Sequence, residues 1–220
     1  MSVTSQINTL RASVSEEVKI VAVSKFHPSE MIREAYDAGQ RIFGESRVQE
    51  LESKYAELPK DIEWHFIGSL QRNKVKFIAP YISLIHSMDS ECLMLEIEKQ
   101  GAINQRVIPC LLEIRVAEEK TKSGFTPDEC RDFLESGKWR ECSHVQFNGV
   151  MGMATFTGDK EQIRSEFAQI RSLFTEFKNK YFAESQSFKE ISMGMTSDYP
   201  VAIEEGSTMI RVGTLIFGNR

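Results

Sequence analysis

No apolar run in this chain approaches the roughly 18 residues needed to cross a bilayer. Met1 to Val14 lacks a basic segment followed by an apolar one, so neither a secretory signal nor a membrane anchor is expected. A basic excess is missing too. The 27 lysines and arginines are outnumbered by 32 aspartates and glutamates, for a net charge of -5, which argues against a nucleic-acid binder. Cysteine is scarce, with only Cys92, Cys110, Cys130 and Cys142, widely and irregularly spaced. Without a C-x-x-C pair or a spacing that links them to the four histidines, a structural metal site is excluded. Reduced, mostly buried thiols in a cytoplasmic protein are the expectation. The first strand-like run, V-A-V-S-K-F-H-P-S-E, is followed by no glycine-rich turn, which counts against an open dinucleotide-binding sheet.

What remains is ordinary in composition, 41% hydrophobic and 27% charged, and 220 residues suffice for a large core. Short β-branched runs alternate with amphipathic stretches. Strands are expected at Lys19–Lys25, Arg41–Ser46, Glu63–Gly68, Leu84–Asp89, Ile108–Val116, His144–Met153, Glu190–Met195 and Thr208–Phe217. Helices are expected from Pro28 to Gly39, from a Ser90 cap to Gly101, from Thr126-Pro127-Asp128 onward and from Asp159 to Lys180. A further helix is expected ahead of the first strand, Val3 to Val14, and a short one opening at Ser197 or Asp198. Eight near-continuous apolar strands with intervening helices predict an α/β protein, a (β/α)8 TIM barrel forming one domain over residues 1–220.

In such a barrel the chemistry sits at the carboxyl ends of the strands. The first strand ends on Lys25, an ammonium that either snorkels to water or pairs or reacts with something at the mouth. Arg211 interrupts the apolar run M-I-R-V-G and needs an acceptor: a barrel glutamate or a ligand. Ser192, Gly194, Thr196, Ser197, Gly213 and Thr214 end the last two strands, where they either make turns or cradle a phosphate. His65 is either a hydrogen-bonded core residue or a pocket group. Met88, Met151, Met153, Met193 and Met195 read as core filler, and Glu96 and Glu98 as a solvated face. A phosphorylated aldehyde would engage lysine, arginine and phosphate cradle together, and pyridoxal 5′-phosphate (PLP) is the obvious one.

The motifs V-A-V-S-K-F-H-P, F-G-E-S-R-V-Q-E, E-W-H-F-I-G-S-L-Q-R-N-K, K-S-G-F and I-S-M-G-M-T-S-D-Y-P, with R-V-G-T, occur in unbroken order from about residue 18 to Arg220. Together they resemble the PLP homeostasis proteins, single-barrel relatives of the amino-terminal domain of alanine racemase (fold type III). The resemblance implies that Lys25 holds the cofactor as an internal aldimine and that Arg211 faces its pyridine nitrogen. It further implies phosphate binding by Ser192, Met193, Gly194, Gly213 and Thr214, with His65 and Met153 near the ring. Where that family commonly has G-E-N, this chain has Gly44-Glu45-Ser46, so a shorter hydroxyl stands at the Ser46 position.

Two functions from different classes follow. One is a monomeric carrier that binds PLP and hands it to PLP-dependent apo-enzymes, with no nucleic-acid or membrane partner. The other is a PLP-dependent amino-acid racemase. An arginine against the ring nitrogen donates a proton poorly, which weakens the ring as an electron sink and favours the carrier. Racemisation also needs acid/base groups on both faces of the substrate, and here Tyr199 is the tyrosine expected nearest the mouth.

Overall fold

Apolar strand runs buried on both faces need helices to cover them, and the chain alternates the two throughout. The computed structural model describes residues 2–117 and 123–219. Lys122 of the K-S-G-F motif lies outside them. The strands are β1 (Lys19–Val23), β2 (Ile42–Glu45), β3 (Glu63–Phe66), β4 (Leu84–Met88), β5 (Ile108–Ile114), β6 (Val145–Gly152), β7 (Glu190–Ser192) and β8 (Met209–Val212). They pair in sequence order, all parallel, and β8 returns to β1, closing the expected (β/α)8 barrel. The helices are α1 (Val3–Ser13), α2 (Ser29–Asp37), α3 (Val48–Glu57), α4 (Val75–Ile78), α5 (Glu91–Ile103), α6 (Pro127–Glu135), α7 (Lys160–Tyr181), α8 (Tyr199–Glu204) and α9 (Thr214–Phe217).

Capping chemistry sets several helix starts. The Ser90 hydroxyl accepts from Leu93 N, Asp159 accepts from the amides of Glu161 and Gln162, and Thr126 forms a reciprocal capping box with Glu129. In α7 the buried residues Ile163, Phe167, Ile170, Leu173 and Phe177 recur at three- and four-residue steps, so one stripe faces the barrel. The core is divided accordingly. A large outer cluster, including Phe43, Trp64 and Phe167, fills the space between strands and helices. A smaller cluster of Val21, Leu84, Leu111, Met151 and Met209 fills the barrel itself.

Several expectations are corrected. The final strand stops at Val212. Residues 214–217 form α9 instead, with Phe217 N donating to Gly213 O and Gly218 N to Thr214 O. A short apolar run such as L-I-F does not by itself distinguish strand from helix. β7 ends at Ser192, because Gly194 takes φ +95° and the chain leaves the sheet there. Glu98 is no solvated side chain: it accepts from the amides of Ser143 and His144 and from the His144 ring. Cys110 and Cys130 are buried as expected, but Cys92 is exposed and Cys142 half-buried.

Candidate functional site

Strand parity aims alternate residues of β1 and β8 into the barrel. Lys25 lies two residues beyond Val23, on a turn in which Phe26 adopts φ +67° and His27 N donates to Ser24 O. The His27 ring stacks on Phe217 of α9, with centroids 5.1 Å apart. Lys25 is half-buried and lines a cavity of about 400 Å³ at the carboxyl ends of the strands. Val23, Ile67, Met153 and Phe156 supply apolar wall. Arg211, Thr196, Ser197, Gly213 and Thr214 supply polar groups. Recesses of about 770 and 670 Å³ lie elsewhere, so chemistry rather than size singles this cavity out.

Arg211 is buried and held from behind. One guanidinium nitrogen donates to Ser192 O at 2.8 Å and Ser192 Oγ at 2.7 Å; the other donates to Gly152 O at 3.0 Å. Ser192 Oγ lies 3.0 Å from His86 Nδ1, and His86 Nε2 lies 3.0 Å from His65 Nδ1. A guanidinium only donates, so the chain of bonds acquires a direction. Ser192 accepts from Arg211 and passes its own hydrogen to His86 Nδ1. His86 then carries its hydrogen on Nε2 and donates to His65. Burial pushes His65 down to about 3 and His86 well below the usual histidine value, so both rings are neutral at physiological pH. Burial also lowers Arg211 to about 10, which leaves it cationic.

The ten residues picked from the sequence therefore divide. Lys25, Met153, Arg211, Gly213 and Thr214 line the cavity. Ser192 sits behind Arg211 and accepts from its guanidinium, and His65 lies at the far end of the chain, bonded to His86. Met193 packs into the outer core. Gly194 is buried, and a Cβ there would lie 2.6 Å from Ala202 Cβ, so its bareness lets α8 approach. Ser46 is half-buried, its backbone pressed against Gly68. On the β7 side the wall is formed by the following residues, Met195, Thr196 and Ser197. Tyr199 packs against the outer core and is not among the lining residues.

One buried acid was missed. Glu113 shares strand parity with Leu111 of the barrel interior, accepts from Ser123 Oγ at 2.9 Å and has no partner at Oε2 among the described residues. Burial, reinforced by Asp89 and opposed by the Ser123 hydrogen bond and Arg211, raises its carboxyl to about 7. The signal was present in I-P-C-L-L-E-I, where a charge interrupts an apolar strand just as Arg211 does.

The alanine racemase N-terminal domain family matches residues 2–220. The chain is 40% identical over 203 residues to the pyridoxal phosphate homeostasis protein of Aquifex aeolicus, covering 92% of this chain and 87% of the relative. It is 36% identical to PipY of Synechococcus elongatus, solved with PLP bound and without it. The TM-scores are 0.89 and 0.92, over 99% of this chain and 100% of PipY. An alanine racemase from Clostridium difficile shares the fold at 12% identity and a TM-score of 0.78, over all of this chain and 57% of the racemase. The chain thus belongs to the alanine racemase N-terminal domain family and, within it, to the pyridoxal phosphate homeostasis proteins.

Proposed function

We propose that the chain binds pyridoxal 5′-phosphate in the strand-end cavity and keeps it for transfer to apo-enzymes, as a cytoplasmic monomer without catalysis of its own. The observation that carries this reading is the convergence of Lys25, Arg211 and the hydroxyls of Thr196, Ser197 and Thr214 on one cavity of about 400 Å³. That donor set fits the cofactor, and the volume lies within the usual range for small-molecule sites. Thr196, Ser197 and Thr214 would hold the phosphate. Gly213 permits close approach: a Cβ there would lie 2.9 Å from Val23 O. When bound, the cofactor would supply an aldehyde able to condense with a primary amine with loss of water, and Lys25 is the lysine on the wall that would hold it.

Arg211 would face the ring with its guanidinium already fixed by Ser192 and Gly152. A group that keeps its proton to about 10 does not give it to a pyridine nitrogen. The reading as a racemase needs a second acid/base group across the substrate from Lys25. The titratable side chain nearest to it in sequence on the wall is His27, on the same turn as Lys25. Neither His65 nor Tyr199 is a lining residue. A cytoplasmic location is supported by the free thiols and by a fold in which no helix of the described residues is long and apolar enough to cross a membrane.

The test is to load the purified protein with PLP, reduce it with borohydride and map the adduct by peptide mass spectrometry. A phosphopyridoxyl group on Lys25 is expected. A reduced adduct found only on other lysines, or none at all, overturns the assignment.

A further inference from the structure

We propose that Lys54 is a positioning residue for Lys25, acting through the backbone on either side of it; the proposal rests on the PLP-binding reading above. The apolar face of α3 buries Val48, Leu51 and Lys54 at steps of three, so a lysine occupies a place where an aliphatic residue is expected. It is only 5% exposed. Its ammonium has three donors and finds three acceptors: Ser24 O at 2.7 Å, Glu45 Oε1 at 2.7 Å and Glu50 Oε1 at 2.6 Å.

Those acceptors lead to the turn that carries Lys25. Ser24 is held by its carbonyl through Lys54 and by its hydroxyl, which donates to Glu45 Oε1 at 2.6 Å. Phe26 is held by its amide, which donates to Glu50 Oε1 at 2.5 Å. The residues before and after Lys25 are thus tied to one buried ammonium and its two carboxylates. Phe26 is also held in the left-handed region, which a non-glycine residue adopts only when its surroundings impose it. A cluster serving only to attach α3 to the barrel would have no need to end on these two backbone groups. The arrangement sets the direction in which Lys25 leaves the end of β1, and with it the reach of its amine.

The experiment compares the full-length protein with Lys54→Met and, as an independent cut at the less buried end of the network, Glu50→Ala. Three quantities are read. They are the rate of covalent capture of PLP at Lys25, the affinity for pyridoxamine 5′-phosphate, which lacks the aldehyde, and amide hydrogen exchange at Phe26 in the cofactor-free protein. Capture is expected to slow by about tenfold or more in both variants, the scale of loss for a misplaced reacting group. Phe26 exchange is expected to accelerate by about tenfold as its acceptor is freed or lost. Pyridoxamine 5′-phosphate affinity should stay within about twofold, since the cavity wall is untouched. Folded variants with wild-type capture and Phe26 exchange would overturn the proposal and leave Lys54 a structural ion pair. Should Lys54→Met fail to fold, Glu50→Ala decides by the same criteria. Wild-type protein that captures no PLP at Lys25 would instead refute the binding assignment itself.

Discussion

Lys25→Ala removes one amine from a turn whose backbone is held by its neighbours. Loss of the borohydride-trapped adduct is expected while the protein stays folded, because the amine is removed and the backbone on either side keeps its hydrogen bonds. Equilibrium urea unfolding alongside the mass measurement separates the two effects. Arg211→Ala leaves Ser192 O, Gly152 O and the serine–histidine chain without their donor. It should weaken PLP binding by roughly 1–3 kcal/mol while Lys25 still captures the aldehyde, a result readable from a binding isotherm. Glu113 makes a prediction in pH. Its folded carboxyl is raised to about 7 from an ordinary 4.5, so the folded state binds the proton more tightly than the unfolded state. Stability is therefore lost as pH rises through that interval, by roughly 3 kcal/mol once ionisation is complete. Glu113→Gln, neutral at every pH, should flatten the curve, gaining on the wild type between about pH 5 and about pH 8 in thermal melts.

At the scale of elements, the contact between β6 and β7 depends on a single backbone position. Cys110 faces Phe147, but Leu111 faces Gly149, so Asn148 is the extra residue of a bulge. Gly149 sits at φ +147°, where a Cβ would lie 1.8 Å from Glu190 O. Backbone cannot yield as a flexible side chain does, so Gly149→Ala should cost at least about 3 kcal/mol, the upper end of overpacking losses. A fall in the urea midpoint at constant slope would show this. The strand extents read from sequence ran long at β7 and β8 for a related reason. Apolar residues continue past the sheet in both, and only the turns at Gly194 and Gly213 end the strands.

At the scale of the whole molecule, the proposal is a barrel whose cavity is built by its own strand ends. PLP-loaded protein should restore activity to a PLP-requiring apo-enzyme, because the bond at Lys25 can be exchanged for another amine. It should not racemise alanine, because among the described lining residues the titratable side chain besides Lys25 and Arg211 is His27, on the same turn as Lys25. Chiral chromatography after long incubation with L-amino acids checks this. Lys25-dependent turnover of about one per second, within the ordinary enzymatic range, would reverse the reading and put His27 forward as the second base.

The amino-acid order alone determined the alternation of strand and helix, the cap at Ser90, the helix starts near Thr126 and Asp159, and two charged anomalies, Lys25 and Arg211. Each of these depends on neighbours within a few residues, through periodicity, capping hydrogen bonds or the cost of a charge in an apolar run. Tertiary structure decided what those charges meet. His86 and Ser192 are 106 residues apart in sequence, yet barrel closure sets them 3.0 Å apart, which links His65 to Arg211 through two intervening side chains. Lys54 and Ser24 are 30 residues apart and bonded at 2.7 Å, a link that no local pattern announces. Strand register and inward parity set such distances, and both arise only when eight strands close on one another.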